Sequence, residues 1–146
     1  MVTIIPSYVY SIFAALIVGT IIVSSCSLAM MNLRKEAENR QLVNIDEYVA
    51  AQSLILVTHV TIEGQNGTQL LALPTQIGNR QYSISIANDS SGAWVEIGFG
   101  SAVTSSPRIS IPADIGASGS YVSGWGRAVL QCYCQNQTIT LTLTSE

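Results

Sequence analysis

Three cysteines, one histidine and nine carboxylates are the groups in this chain best suited to covalent, metal or acid–base chemistry. His59 lies among apolar residues, where it reads as a satisfied core or edge histidine. A metal would need further His, Cys or carboxylate ligands at defined spacing. Cys132-Tyr133-Cys134 puts two thiols on one face of a strand, and the sequence offers no second pair. Residues i and i+2 of a strand sit about 6.6 Å apart, at the limit of disulfide geometry. Three states are therefore open to Cys132 and Cys134: reduced core residues, a bridge in a distorted strand, or a link to another chain. The carboxylates are scattered, with no partner in evident proximity to Glu96 for paired-acid hydrolysis. No glycine-rich phosphate loop precedes a helix, and no Ser-His-Asp set has a plausible order. The expectation is a protein that is not an enzyme and binds no cofactor or metal.

Modification is better supported. Asn66-Gly67-Thr68, Asn88-Asp89-Ser90 and Asn136-Gln137-Thr138 each fit the N-glycosylation pattern and fall in or beside expected turns. Val23-Ser24-Ser25-Cys26 fits the small-residue run that precedes a lipidated cysteine. It equally fits a small-residue face for helix packing.

The elements that carry these residues differ sharply in charge. Only 10% of the chain is charged, against about a quarter in ordinary soluble domains. Residues 1–33 have no charged side chain, and Lys35 is the only lysine. With a net charge of −3 and no basic patch, nucleic acid is excluded as a partner. Residues 7–33 form an uncharged stretch (SYVYSIFAALIVGTIIVSSCSLAMMNL), and roughly 20 such residues cross a bilayer as a helix. Pro6 suits the first helical turn, and Tyr8 and Tyr10 suit the headgroup boundary. A cleaved signal peptide would have a basic start and an apolar core about half as long.

The helical pattern continues past Arg34, Lys35, Glu36, Glu38 and Arg40 into QLVNIDEYVAAQSLILV, which has neither Pro nor Gly. Leu42, Ile45, Val49 and Leu56 share one face at helical spacing. Together with the small residues Gly19 and Ala29, they are the candidates for packing between helices. Arg34 and Lys35 would hold the following segment in the cytoplasm. The sequons, the β-rich body and the low charge point outward, and the reading adopted places the body outside.

Beyond residue 53 the pattern alternates. Strands are expected at Ser53–Glu63, at TQLLALP, and at Arg80–Ala87, where Tyr82, Ile84 and Ile86 share a face. AWVEIGFG, RISIP, Tyr121–Cys134 and TITLTLT follow. In the last, Ile139, Leu141 and Leu143 oppose four threonines. The glycines around Phe99 and Trp125 mark bulges or close backbone approach, or else a ligand platform. The expected fold is α+β: a long hydrophobic N-terminal helix over 1–53, then an antiparallel β-sandwich of about seven strands over 54–146.

The opening IPSYVYSIFAALIVGTIIV, the continuation AENRQLVNIDEYVAA and the segment LPTQIGNRQYSISIAND together resemble archaeal type IV pilin-like proteins. That group includes archaellins, adhesion pilins and archaellum-associated stator-type proteins. The resemblance implies a helix that first sits in the membrane and then packs with its copies in a filament core, with the β-domain outside. The chain departs from the pattern in two places. MVTIIPS lacks the basic and small residues of a processing site, and Ile5 stands where bacterial pilins carry glutamate. The sequence is thus expected to be either mature already or retained unprocessed in the membrane. Two functions follow as expectations. One is a structural subunit of a homopolymeric surface filament. The other is a single-pass anchored or stator-like protein that contacts a surface-layer protein or glycan.

Overall fold

The structure is a computed structural model that describes residues 4–100, 108–111, 114–135 and 138–146. One helix, α1 (Ile4–Glu63), is followed by seven strands. These are β1 (Gly67–Leu71), β2 (Tyr82–Asp89), β3 (Gly92–Phe99), β4 (Ile109–Ile111), β5 (Gly116–Val122), β6 (Ala128–Gln135) and β7 (Thr138–Ser145). By contacts the chain divides into Met1–Ala37 and Glu38–Glu146.

α1 persists because neither Pro nor Gly interrupts it between Gly19 and Gly64. Its end is capped in a left-handed conformation. Gly64 has φ +67° and donates its N–H to the Val60 carbonyl at 2.9 Å, a position that strains any residue with a Cβ. The strand expected over Ser53–Glu63 is therefore helix. The boundary expected at 53/54 falls inside it, and the β unit takes in the helix from Glu38 onward. His59, expected on a strand, lies on the helix, where its Nε2 is 3.2 Å from Glu63 Oε1.

The strands form one sheet in the order β1-β6-β7-β5-β2-β3-β4. Neighbours are antiparallel except β5 and β7, which run parallel with Gly116 opposite Thr140. The sheet curls into a half-barrel, so the fold is α+β as expected but not an antiparallel sandwich. The reason lies in what covers the inner face. Tyr82, Ile84 and Ile86 of β2, Val95 and Ile97 of β3, Leu130 of β6, and Leu141 and Leu143 of β7 share a dry core with Leu42, Val49, Leu56, Val57 and Val60 of α1. The helix thus fills the layer that a second sheet would occupy. The expected Tyr121–Cys134 strand is two strands, β5 and β6, joined through a turn at Ser123–Gly126.

Inside this core, the hydroxyl of Tyr82 donates to the Pro74 carbonyl, and the Ser123 hydroxyl accepts from the Tyr82 N–H at 2.9 Å. Gln69 of β1 donates to Gln52 of the helix. These bonds tie the start of β2 and the edge strand to their neighbours without leaving the polar groups dry and unpaired.

Candidate functional site

Along Met1–Ala37 the described apolar side chains are exposed on every side, among them Tyr10, Phe13, Leu16, Ile21, Val23 and Leu33. The hydroxyls in this run turn back onto the helix. Thr20 donates to the Ile17 carbonyl, Ser25 to Ile21 and Ser27 to Val23, at 2.8–2.9 Å. Each polar atom is thereby satisfied within the helix, as hydrocarbon surroundings require. The helix is long and apolar enough to cross a membrane, with a mean hydropathy of 2.3 over its most apolar 18 residues. Gly19 lines a shallow groove with Ala15, Leu16, Thr20, Val23 and Ser24, and a methyl group there would meet nothing within 4 Å. Ala29 and Cys26 are likewise exposed.

The helix in Glu38–Glu146 has two unlike faces. Leu42, Val49 and Leu56 are buried, and Ile45 packs against the same core. The face expected to pack against other copies is therefore occupied by the chain's own sheet. The opposite face carries Leu54, Ile55, Thr58, His59 and Ile62, with Ile55 57% and Ile62 79% exposed. From Tyr48 to Ile62 there is no Asp, Glu, Lys or Arg. Thr58 and Thr61 donate to the carbonyls of Leu54 and Val57. The outer face of this stretch is thus mostly aliphatic, with Thr58 and His59 beside Leu54, Ile55 and Ile62, although its own sheet covers only the other side. Sequence reasoning missed the outer face because it placed these residues on a strand. The signal was present in Val49, Ser53, Leu56 and Val60, which continue the three-and-four spacing of Leu42 and Ile45.

One charge sits on the covered face. Asp46 is 1% exposed and its Oδ1 has no hydrogen-bond partner. Burial, with Glu47 and Glu96 adding repulsion, pushes its carboxyl up to about 7.

Elsewhere the aromatic side chains are clasped by arginines. Arg80 lies over the Phe99 ring at 4.0 Å and Arg108 over Trp94 at 4.7 Å. Arg108 also pairs with Glu96, which accepts the Trp94 Nε1–H at 2.9 Å. The Phe99 segment is therefore a strand end held by Arg80 rather than a bare platform. Nearby, Asp89 accepts hydrogen bonds from the Ser91 hydroxyl and backbone, which hold its carboxyl below the usual range.

Cys132 and Cys134 are both free thiols, so the pair is not bridged. Regular pairing of β6 with β7, Cys132 opposite Leu141 and Cys134 opposite Ile139, holds them at ordinary strand spacing. Burial and the neighbouring Cys134 raise the Cys132 thiol. Asn66 and Asn88 are exposed, as are Thr68 and Ser90 of their sequons. The Asn66 side-chain carbonyl accepts from the Cys134 N–H at 3.2 Å. Asn136 lies outside the described residues. Among the described residues, no group of three or more His, Cys, Asp or Glu side chains could hold a metal ion. No family model, curated protein or solved structure matches the chain.

Proposed function

We propose that this chain is a structural subunit of a type IV pilus-like cell-surface filament and not an enzyme. Residues 7–33 anchor it in the membrane before assembly. Its helix then packs with those of other copies, and the β body lies on the outside, exported and open to glycosylation at Asn66 and Asn88.

The observation that carries this reading is the outer face of α1 beyond the charged residues 34–40. A helix that served only as an anchor and as the inner layer of its own body would turn a polar face to water. Here Ile55 and Ile62 are bare instead. Full burial of each such aliphatic is worth about 1.5–3 kcal/mol, and a neighbouring copy's helix supplies that cover. In the filament, Gly19 and Ala29 permit close approach of helices in the N-terminal half.

A second reading keeps the chain in the membrane as a single-pass accessory that binds a surface-layer protein or glycan. What favours it is that Leu42, Ile45, Val49 and Leu56 already have their cover in cis. The deciding experiment replaces both Ile55 and Ile62 with Glu and compares filaments sheared from cells with the amount of protein in membranes. Loss of filaments at normal membrane levels supports the filament reading. Normal filaments reject it in favour of the accessory.

A further inference from the structure

An acid and a glycine build the turn between β2 and β3. Asp89, at the end of β2, accepts from the Ser91 hydroxyl and, at 2.7 Å, from the Ser91 N–H. Gly92 opens β3 with φ +131°, a conformation that strains any residue with a Cβ, and a Cβ there would meet nothing within 4 Å. Around it lies a dent of about 150 Å³, lined by Asp89, Ser91, Ala93, Trp94, Arg108 and Ser110.

Strand register explains why these groups meet. Asp89 stands opposite Gly92, and Trp94 opposite Ser110 of β4. Ala93 and Val95 face the core, so alternation turns Trp94 between them to the outer face of the sheet. Arg108, one residue before β4, lies over its ring.

The lining offers every kind of polar contact. A carboxylate has about four lone-pair sites. Ser91 takes two of those on Asp89, and the Gly92 N–H takes a third. The Arg108 Nε–H goes to Glu96, and a guanidinium has about five N–H groups in all. The Ser91 and Ser110 hydroxyls can donate or accept, and Trp94 supplies an apolar wall. An anion in the dent would face the carboxylates of Asp89 and Glu96, and a cation would face Arg108. A small neutral ligand dense in hydroxyls avoids both penalties. Its O–H groups donate to Asp89, its oxygens accept from Arg108 and the serines, and its C–H groups pack on the indole. A sugar ring combines these features.

We propose that the dent at the β2–β3 turn binds one ring of a neutral saccharide, with Asp89 and Arg108 as its polar contacts and Trp94 as its wall. Every lining residue lies in Glu38–Glu146. The site therefore serves a filament subunit and a solitary anchored chain alike.

The test uses the full chain, made in a host that leaves Asn66 and Asn88 unmodified and solubilised in lauryldimethylamine oxide, which carries no sugar. Saturation-transfer NMR is run with the methyl glycosides of glucose, galactose, mannose and N-acetylglucosamine. At least one should bind, with a dissociation constant in the millimolar range. The uronate and amino-sugar forms of the ring that binds best should bind about threefold more weakly, or worse. Asp89→Asn keeps an acceptor for Ser91 and should weaken binding about threefold or more. Ser110→Phe fills the dent from an exposed position and should abolish it. Should either variant melt early, the unsubstituted chain locates the ring instead. The Trp94 indole N–H signal, assigned with Trp125→Phe, should shift, and that of Trp125, which is exposed between β5 and β6, should not. Transfer to none of the glycosides overturns the proposal. Binding undiminished in both variants also overturns it, because the ring then sits elsewhere. A uronate or amino sugar preferred over its neutral parent does the same, because the site would then select charge.

Discussion

Between Tyr8 and Leu33, α1 exposes apolar side chains on every side, whereas between Glu38 and Glu63 one side is dry and the other is not. The first half has the length and apolar character to cross a membrane. In the second half, Val49 and Val60 are 0% exposed against the sheet, while Ile55 and Ile62 stand bare on the far side. The same kind of residue therefore serves folding on one face and, in the function proposed, assembly on the other. Substitutions on the two faces should part company, the first costing stability and the second costing association.

The largest effect is expected on the covered face. Val49→Asp puts a carboxylate into a core without partners, a cost of several kcal/mol, and thermal melting of the detergent-solubilised chain should show the body unfolded. Leu42→Asp and Ile45→Asp damage the same core to a lesser degree. Loss of filaments from either variant would for that reason say nothing about packing between copies.

Asp46 gives the next effect, and its sign is fixed by its surroundings. The unfolded chain releases this proton near 3.8, whereas the folded chain holds it to about 7. The stability tied to the proton is full below about pH 4, declines between about pH 4 and 7, and is lost above that. A gap of this size amounts to at most about 4 kcal/mol. Melting temperature should fall as pH rises through this window, and Asp46→Asn should flatten the decline. An equally steep decline in the variant would place the cause elsewhere.

A smaller effect is expected at the outer face of the sheet. Arg108→Ala removes an exposed ion pair and the cover over Trp94, worth together about 0.5–1.5 kcal/mol. A melting shift of a few degrees and a change in Trp94 emission would report it.

Much of this architecture was legible in the residues. The apolar run, the continuation through Leu42, Ile45 and Val49, and the alternation in β2, β3 and β7 have few other interpretations. The two largest differences have physical causes. SLILVTHVTIE is rich in β-branched residues and nearly free of charge, so strand and helix periods both fit it; only the spacing of Ser53, Leu56 and Val60 favoured the helix. That misreading also concealed the outer face, the part of the candidate site that matters most. The sheet was read as half of a sandwich because alternation reports that a face is covered and not what covers it. The cover is the helix, which the sequence had seemed to assign to the membrane and to other copies. Neither the burial of Asp46, flanked by Ile45 and the exposed Glu47, nor the exposure of Trp125 could be read from composition or spacing.

The central claim is that the outer face of α1 is covered by another copy. Ile55→Glu combined with Ile62→Glu tests it most directly, because both positions are exposed and the change should alter the melting of the body by no more than about 0.5 kcal/mol per site. The measurement is the yield of sheared filament per unit of membrane-bound chain, set beside the melting curve. The account predicts an unchanged curve, normal membrane levels and loss of filament. Filament at the unsubstituted yield from the same membranes would contradict it.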